Sequence, residues 1–138
     1  MKETNMNKIA RSATKSTDIA APPDKVYAFL GDPMNWPQYA VVNLRSVSPG
    51  KDGWFKAVTK FGEGELKING VKELGLFDHV WKDPQATWQV YGRVVPNGDG
   101  STVMMTLFKP PVMSDELFDH SMKEMDVEMA KLKEILER

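Results

Sequence analysis

The chain has 138 residues, no cysteine, and 18 basic against 19 acidic side chains, which gives a formal net charge of −1. This is the length of one ordinary domain, and burial of roughly two thirds of the unfolded surface suffices for one core and a small cavity. The lack of cysteine excludes disulfides, thiolate metal sites and a cysteine nucleophile, and the lack of a long basic run argues against a nucleic-acid partner.

The N-terminal segment MKETNMNKIARSATK carries no apolar signal core. No apolar stretch of the chain approaches the ~20 residues of a membrane span. We therefore expect a cytoplasmic protein with no stable membrane insertion. Residues 1–11 are polar and are predicted to form a flexible N-terminus, and residues 12–138 are predicted to form a single domain.

The first predicted elements are one strand and two short helices. Small and β-branched residues predict a strand over residues 12–20. A proline at the first helical position and a glycine exit predict a helix over residues 23–30. Asp32 as a cap and Pro33 at the next position predict a second helix over residues 33–39.

Between residues 41 and 109 apolar and polar residues alternate, which is the period of β-strands. The turn sequences PGKDG, FGEG, NG, KDPQ and NGDG separate these runs, as they do in antiparallel hairpins. The predicted strands are residues 41–48, 53–61, 64–71, 73–82, 86–96 and 101–109.

The C-terminal segment predicts one amphipathic helix over residues 114–137. Ser114 can cap it, and the apolar residues that follow recur at alternating spacings of 4 and 3. A helix with a single apolar stripe must bury that stripe against the sheet. The stripe consists of Phe118, Met122, Met125, Met129, Leu132 and Leu136.

The order of one strand, two short helices, six antiparallel strands and a long helix predicts an α+β protein. It resembles the helix-grip fold of the START-related lipid-transfer and polyketide cyclase/dehydrase superfamily (SRPBCC), in a mostly uncharacterised bacterial branch. The resemblance is seen in IAAPPDKVYAFLGDPMNWPQYA, where Tyr39 replaces a second tryptophan, in LFDHV with RVVPNGDGSTVMMTLF, and in MSDELF through LKEILE. It covers residues 12–137 and implies a curved seven-stranded antiparallel sheet around the C-terminal helix.

Asp78 and His79 are adjacent in LGLFDHVWKD, and such a pair could form an acid–base dyad. Neighbouring residues on a regular strand point to opposite faces, so the two side chains cannot share one pocket. Pairing across the KDPQ turn places His79 opposite Val90, on the more apolar face. Asp78 then lies on the outer face near Tyr91 and Arg93, where a cross-strand ion pair would explain it.

The more apolar face of the sheet is assigned to the concave side that faces the helix. The predicted members of this inner face are Phe55, Ala57, Thr59, Leu66, Ile68, Phe77, His79, Trp81, Trp88, Val90, Val94, Val103, Met105 and Leu107. The outer face carries an apolar patch for which contact in a homodimer is a hypothesis. The predicted members of this patch are Val80, Tyr91, Met104 and Phe108.

His79 has two interpretations. It is either a core histidine bonded to a backbone carbonyl or a buried water, or a group that contacts the polar end of a ligand. It is also the only candidate for proton transfer. Tyr27 and Trp36 are candidates for the mouth of a cavity, and the methionines serve either as core or as an adaptable wall. The predicted ligand-binding residues are Tyr27, Trp36, Phe77, His79, Trp81, Val90, Met105, Met122, Met125 and Met129.

The leading interpretation is a domain that binds a small hydrophobic ligand (a lipid, polyketide or aromatic-like molecule) between sheet and helix, without a cofactor. The resemblance implies two alternatives, a cyclase/dehydratase-type enzyme acting on a polyketide-like substrate and a protein-interaction module with a filled cavity. No metal site is predicted, because His79 and His120 lie far apart in the sequence. FGEG lies between two strands, which is not the setting of a phosphate-binding loop.

Overall fold

The elements follow the order predicted from the sequence. The structure is a computed structural model that describes residues 8–138, so the predicted flexibility of residues 1–7 lies outside the described residues. The strands are β1 (Ser12–Ile19), β2 (Leu44–Pro49), β3 (Phe55–Thr59), β4 (Gly62–Val71), β5 (Leu76–Lys82), β6 (Thr87–Asn97) and β7 (Gly100–Phe108). The helices are α1 (Pro23–Leu30), α2 (Asp115–Leu136) and two 3-10 helices, Pro33–Gln38 and Lys72–Leu74. None of the helices within residues 8–138 has the length and apolar character needed to cross a membrane.

The seven strands form one antiparallel sheet in the order β1-β7-β6-β5-β4-β3-β2. Strands β2 to β7 are joined in sequence by hairpins, and β1 pairs with β7 at one edge. Helix α1 and the 3-10 helix Pro33–Gln38 connect β1 to β2, which lies at the opposite edge of the sheet. The predicted helix-grip fold, a curved seven-stranded antiparallel sheet with a long C-terminal helix, is confirmed.

The two largest errors in the predicted strand starts are at residues 41 and 73. Residues 41–43, predicted to begin a strand, form a turn, and β2 begins only at Leu44. Residues 73–75 were also predicted as strand, but residues 73 and 74 belong to the 3-10 helix Lys72–Leu74 and Gly75 ends it. Gly75 adopts φ of 68° there, in the left-handed region that favours glycine, and this turn delays β5 to Leu76.

The sheet register predicted across the β5–β6 and β6–β7 turns is confirmed. His79 pairs with Val90, and Gly92 pairs with Met105. Glycine is required at position 92 by packing, because a Cβ there would lie 2.6 Å from Cε2 of the Phe77 ring. The ring of Phe77 therefore lies over the backbone of β6 and is fully buried.

The inner face of the sheet and the apolar stripe of α2 form the core. The predicted inner-face residues are buried or half-buried. Trp88 of β6 stacks on Phe118 of α2, with ring centroids 6.0 Å apart. Along the stripe, Met125 is half-buried, and the buried members are Phe118, Met122, Met129, Leu132 and Leu136.

Polar contacts hold both ends of α2. The side-chain oxygen of Ser114 caps the first turn. At that end Arg11 Nη1 donates to Asp115 Oδ1 at 3.3 Å, and at the other end the backbone N–H of Ala20 donates to Glu137 Oε2 at 2.8 Å. The helix is therefore fixed across the sheet at its ends, and its middle turns cover the concave face.

Asp78 lies on the outer face, but the ion pair with Arg93 that was predicted is not formed within residues 8–138. Asp78 Oδ1 instead accepts from the backbone N–H of Gly92 at 3.0 Å. Arg93 Nε donates to the carbonyl oxygen of Leu74 at 3.3 Å. A backbone donor of the facing strand lies within reach of the short Asp78 side chain, so the carboxylate satisfies that donor.

The outer-face patch is partly covered by its own contacts. Tyr91 and Phe108 are exposed and meet edge to face, with ring centroids 5.8 Å apart. Val80 and Met104 are half-buried. A homodimer through this face stays a prediction.

Candidate functional site

A cavity of about 90 Å³ lies between the concave face of the sheet and the middle of α2. Its wall combines side chains from β5, β6 and β7, from α2, and from the 3-10 helix and turn that precede β2. Pockets for drug-sized ligands measure ~300–1,000 Å³. The space as it stands therefore matches a single small ring or a short chain.

Seven of the ten predicted ligand-binding residues line this cavity: Trp36, His79, Trp81, Val90, Met105, Met122 and Met125. Phe77 and Met129 are buried in the core beside it but do not line it. The remaining residue, Tyr27, lies elsewhere.

The structure does not bring Tyr27 to the cavity, contrary to our expectation. Helix α1 buries Val26 and Leu30, and this orientation turns Tyr27 toward a separate groove beside the 3-10 helix Lys72–Leu74. There the Tyr27 hydroxyl donates to the carbonyl oxygen of Leu76 at 2.9 Å. The helix face that is apolar enough to pack on the sheet is thus a different face from the one that carries Tyr27.

Trp36 lines the cavity, but it lies at depth, whereas the sequence suggested the mouth. It is 1% exposed, and its indole Nε1 donates to the carbonyl oxygen of Leu30 at 2.9 Å. The mouth is formed instead by Phe61 of the β3–β4 turn, Gln85 of the β5–β6 turn, and Ser121 and Glu124 of α2, all exposed or half-buried. Sequence pattern could not single these out, because they come from two separate turns and one flank of the helix.

His79 is bonded to the backbone and also faces the cavity. Its Nδ1 lies 2.9 Å from the carbonyl oxygen of Phe77. A carbonyl only accepts, so Nδ1 carries the proton and Nε2 holds the free lone pair. Burial lowers the pKa of His79 to about 4, so the ring is neutral at pH 7. The imidazole and the Trp36 ring meet edge to face, with ring centroids 4.7 Å apart.

Glu128 of α2 also lines the cavity, and the sequence analysis missed it. The side chain is 5% exposed. Its Oε2 accepts from the backbone N–H of Val42 at 3.1 Å, from that of Asn43 at 3.0 Å, and from Asn43 Nδ2 at 3.3 Å. Burial raises the pKa of Glu128 to about 7 despite these hydrogen bonds, which favour the charged form.

The signal for Glu128 was present in the sequence. The residue stands three positions after Met125 and four before Leu132, and both belong to the apolar stripe of α2. A carboxylate at these spacings lies on the buried flank of the helix. An acidic residue in that position is uncommon unless the fold supplies partners for it.

Tyr39 is a third buried titratable group of the cavity wall. Its ring lies between Phe29, at a centroid distance of 6.2 Å, and Trp36, at 6.5 Å. Burial, and to a lesser degree the charge of Glu128, raises the pKa of Tyr39 above its usual range. The hydroxyl therefore keeps its proton at neutral pH.

An ion pair crosses the cavity mouth. Lys60, at the β3–β4 turn, donates to Glu124 Oε2 on α2, and His120 Nε2 lies 3.3 Å from the same oxygen. The Lys60 ammonium also lies 5.2 Å from the centroid of the Phe61 ring. These contacts join the β3–β4 turn to the helix over the entrance.

No metal centre is formed by the part of the chain that the structure describes. Within residues 8–138 no three histidine, aspartate or glutamate side chains converge as a ligand set would require.

A curved antiparallel sheet that holds a C-terminal helix over an internal cavity defines a protein of the helix-grip class. The family described as polyketide cyclase/dehydrase and lipid transport matches residues 10–137. The chain therefore belongs to this family, and the superfamily resemblance read from the sequence is confirmed.

Solved structures of the same fold are similar over nearly the whole chain. The Zhui aromatase/cyclase from Streptomyces sp. R1128 is 11% identical with a TM-score of 0.76, covering 94% of this chain and 95% of its own. A START superfamily protein from Mycobacterium smegmatis is 12% identical with a TM-score of 0.71, covering 91% and 97%. The Aha1 dimer from Colwellia psychrerythraea is 14% identical with a TM-score of 0.73, covering 92% and 96%. At such identities the similarity shows the fold alone. No curated protein matches the sequence significantly.

Proposed function

We propose that this protein binds a small, largely apolar molecule in the cavity beneath α2. The observation that supports this best is the composition of the wall, in which aromatic and methionine side chains surround two buried polar groups, His79 and Glu128. Small-molecule sites commonly have this make-up, because apolar contacts give affinity and a few polar groups give orientation. Membership of the polyketide cyclase/dehydrase and lipid transport family supports ligand binding or cyclase/dehydrase-like chemistry in general, without naming a ligand.

The size of the cavity limits the ligand. A volume of about 90 Å³ suits one small ring. Burial of about 150 Å² of such a ring contributes roughly 4 kcal/mol before the costs of association, so a bare ring should bind weakly. Larger ligands require movement of Met105, Met122 or Met125, whose unbranched side chains can change rotamer at low cost.

A cyclase/dehydratase-type enzyme acting on a polyketide-like substrate is the second candidate. The observation that favours it is that His79 and Glu128, two buried titratable groups, line one cavity. A Glu128 carboxyl with a pKa of about 7 could serve as acid or base near neutral pH. No hydrogen bond joins the two side chains within residues 8–138, so they would have to act on different atoms of a substrate. The open cavity argues against the third interpretation, an interaction module with a filled interior.

The first test is native mass spectrometry of the full chain as purified from cells, in which a retained small molecule is the expected result. The second is an NMR titration with toluene, in which amide signals around the cavity should shift. Val90→Phe fills the cavity from β6 and should weaken toluene binding by about tenfold or more. Gln89→Phe adds the same ring to the exposed face of the same strand and should leave binding unchanged.

Several outcomes would count against binding. Toluene that shifts no cavity signals would exclude an accessible apolar site. Equal toluene affinity in the wild type and in a folded Val90→Phe variant would place the site elsewhere. A retained molecule whose mass changes during incubation would favour the enzyme over the binding domain.

A further inference from the structure

Three ring N–H donors of the cavity wall are already used. Trp36 Nε1 donates to the carbonyl oxygen of Leu30 at 2.9 Å, and Trp81 Nε1 donates to Asp83 Oδ2 at 2.9 Å. His79 Nδ1 donates to a backbone carbonyl at 2.9 Å. A ligand that offers only acceptors would therefore find these three ring N–H groups occupied.

Two buried acceptors of the wall are free. His79 Nε2 and Glu128 Oε1 have no hydrogen-bond partner within residues 8–138, since His79 bonds through Nδ1 and Glu128 through Oε2. Both residues are 5% exposed. Buried polar atoms normally have partners, and an unpaired acceptor is a position that a ligand can satisfy.

The charged side chains of the cavity wall also favour a cationic ligand. Three carboxylates line the cavity, and no lysine or arginine does so among the described residues. Glu124 is paired with Lys60 at the mouth, and Asp83 accepts from Trp81 and from backbone N–H groups of its own turn. Within residues 8–138, Glu128 has no cationic partner, and its three hydrogen-bond donors all bind Oε2, so its Oε1 has none.

Among residues 8–138, no lysine or arginine pairs with Glu128. Val42 and Asn43 of the preceding turn give it neutral N–H donors, and Tyr39 contributes a neutral phenol. Glu124 lies one turn earlier on α2 and is acidic, and His79 across the cavity is uncharged at pH 7. A ligand cation would meet no repulsive group at this end of the cavity.

The remaining wall is also suited to a cation. Five aromatic side chains line the cavity, and the faces of such rings attract ammonium groups. They are Trp36, Tyr39, Phe61, Trp81 and Trp88. Apolar rings therefore serve the body of a ligand and the ammonium group attached to it.

We propose that the cavity selects a small amine, a protonated ammonium group on an apolar ring or short chain, whose N–H groups donate to Glu128 Oε1 and to His79 Nε2. The inference rests on the proposed binding function and names its ligand class. A carboxylate of the same size would bring its own acceptors and negative charge to these two atoms and should bind less tightly, although the Tyr39 hydroxyl and Trp88 Nε1 have no acceptor within residues 8–138.

A pH dependence follows from this pairing. Glu128 in the empty cavity changes charge near pH 7, whereas His79 stays neutral well below that value. Amine affinity should therefore rise from about pH 6 to about pH 8, where the carboxylate becomes fully charged. Toluene affinity should stay constant over the same range.

The test is an NMR titration of the full chain with four probes that share one ring: toluene, benzyl alcohol, benzylamine and benzoate. Benzylamine should bind about tenfold or more tighter than toluene, because it adds a charge-assisted hydrogen bond, and benzoate should bind least. Glu128→Gln should keep toluene binding and remove the preference for benzylamine. Glu134→Gln changes an exposed carboxylate of the same helix and should preserve that preference.

The outcomes separate this inference from the proposed function. If toluene binds but benzylamine binds no tighter than benzoate, the ligand class is wrong and the apolar site stands. If no probe shifts cavity signals, both proposals fail. Should Glu128→Gln not fold, the wild-type pH series decides, because an affinity for benzylamine that stays constant from about pH 6 to about pH 8 contradicts a contact with Glu128.

Discussion

Burial shifts the pKa values of His79 and Glu128 in opposite directions, because it disfavours the charged form of each. The pKa of His79 falls from 6.5 to about 4, and that of Glu128 rises from 4.5 to about 7. The stability that neutral His79 contributes is complete above pH 6.5 and is lost as the pH falls to about 4. The stability that protonated Glu128 contributes is complete below pH 4.5 and is lost as the pH rises through about 7.

We predict that single substitutions separate these opposing effects. The free energy of unfolding of Glu128→Gln, relative to the wild type, should rise by up to about 3 kcal/mol between about pH 4.5 and pH 7, at about 1.4 kcal/mol per pKa unit. That of His79→Gln, relative to the wild type, should fall by a similar amount between about pH 4 and pH 6.5. Urea denaturation at a series of pH values measures both, and parallel curves for variant and wild type would contradict the assignment.

At the scale of elements, the β3–β4 turn and α2 meet over the cavity mouth through Lys60 and Glu124. The side chains of this pair are 23% and 14% exposed, so water screens them less than it screens the surface pairs of the same helix. Phe61 lies under the Lys60 ammonium and lines the cavity. The Lys60–Glu124 pair therefore borders the route by which a ligand would enter.

We predict that Lys60→Met, which keeps most of the side-chain length but removes the charge, speeds the exchange of toluene several-fold. Partly exposed ion pairs contribute ~1 kcal/mol or less, so stability should change little. NMR exchange measurements give the rate. Lys131→Met removes the partner of Glu134 on the exposed face of α2 and is the matched control. Equal exchange rates in the two variants would show that the Lys60–Glu124 pair does not gate the mouth.

At the scale of the whole molecule, α2 is held by one buried stripe and is solvated on its other face. Phe118 is buried and stacks on Trp88 of the sheet. Val127, nine residues later, is 54% exposed. Phe118 is therefore an apolar side chain of α2 that the fold needs, and Val127 is one that it does not need.

We predict that Phe118→Ala lowers the free energy of unfolding by about 3–5 kcal/mol, because it leaves a void between helix and sheet. Val127→Ala should change it by less than about 0.5 kcal/mol. Urea unfolding of both variants at one pH measures the difference. A loss below about 1 kcal/mol for Phe118→Ala would mean that α2 does not depend on this contact for docking.

Local pattern predicted the elements and their order, and the family resemblance supplied the helix-grip architecture. Alternation of polar and apolar residues, together with short hairpin turns, predicted the strand order within β5–β7, the register and the inward position of His79, because turn length and side-chain period fix these over a few residues. The strand starts at residues 41 and 73 were wrong. Turns held by non-local contacts or by a left-handed glycine do not show in the alternation.

The sequence by itself determined the order of the elements, the faces of the residues in β5 to β7 and the apolar stripe of α2, since each depends on neighbours along the chain, and the family resemblance supplied the helix-grip fold. Only the tertiary structure decided the volume of the cavity, the position of Tyr27 outside it and the burial of Glu128 within it. The partners of Glu128 are 85 and 86 residues away in the chain, at Asn43 and Val42. Which polar atoms stay free for a ligand depends on how such distant elements pack, and no local pattern encodes that.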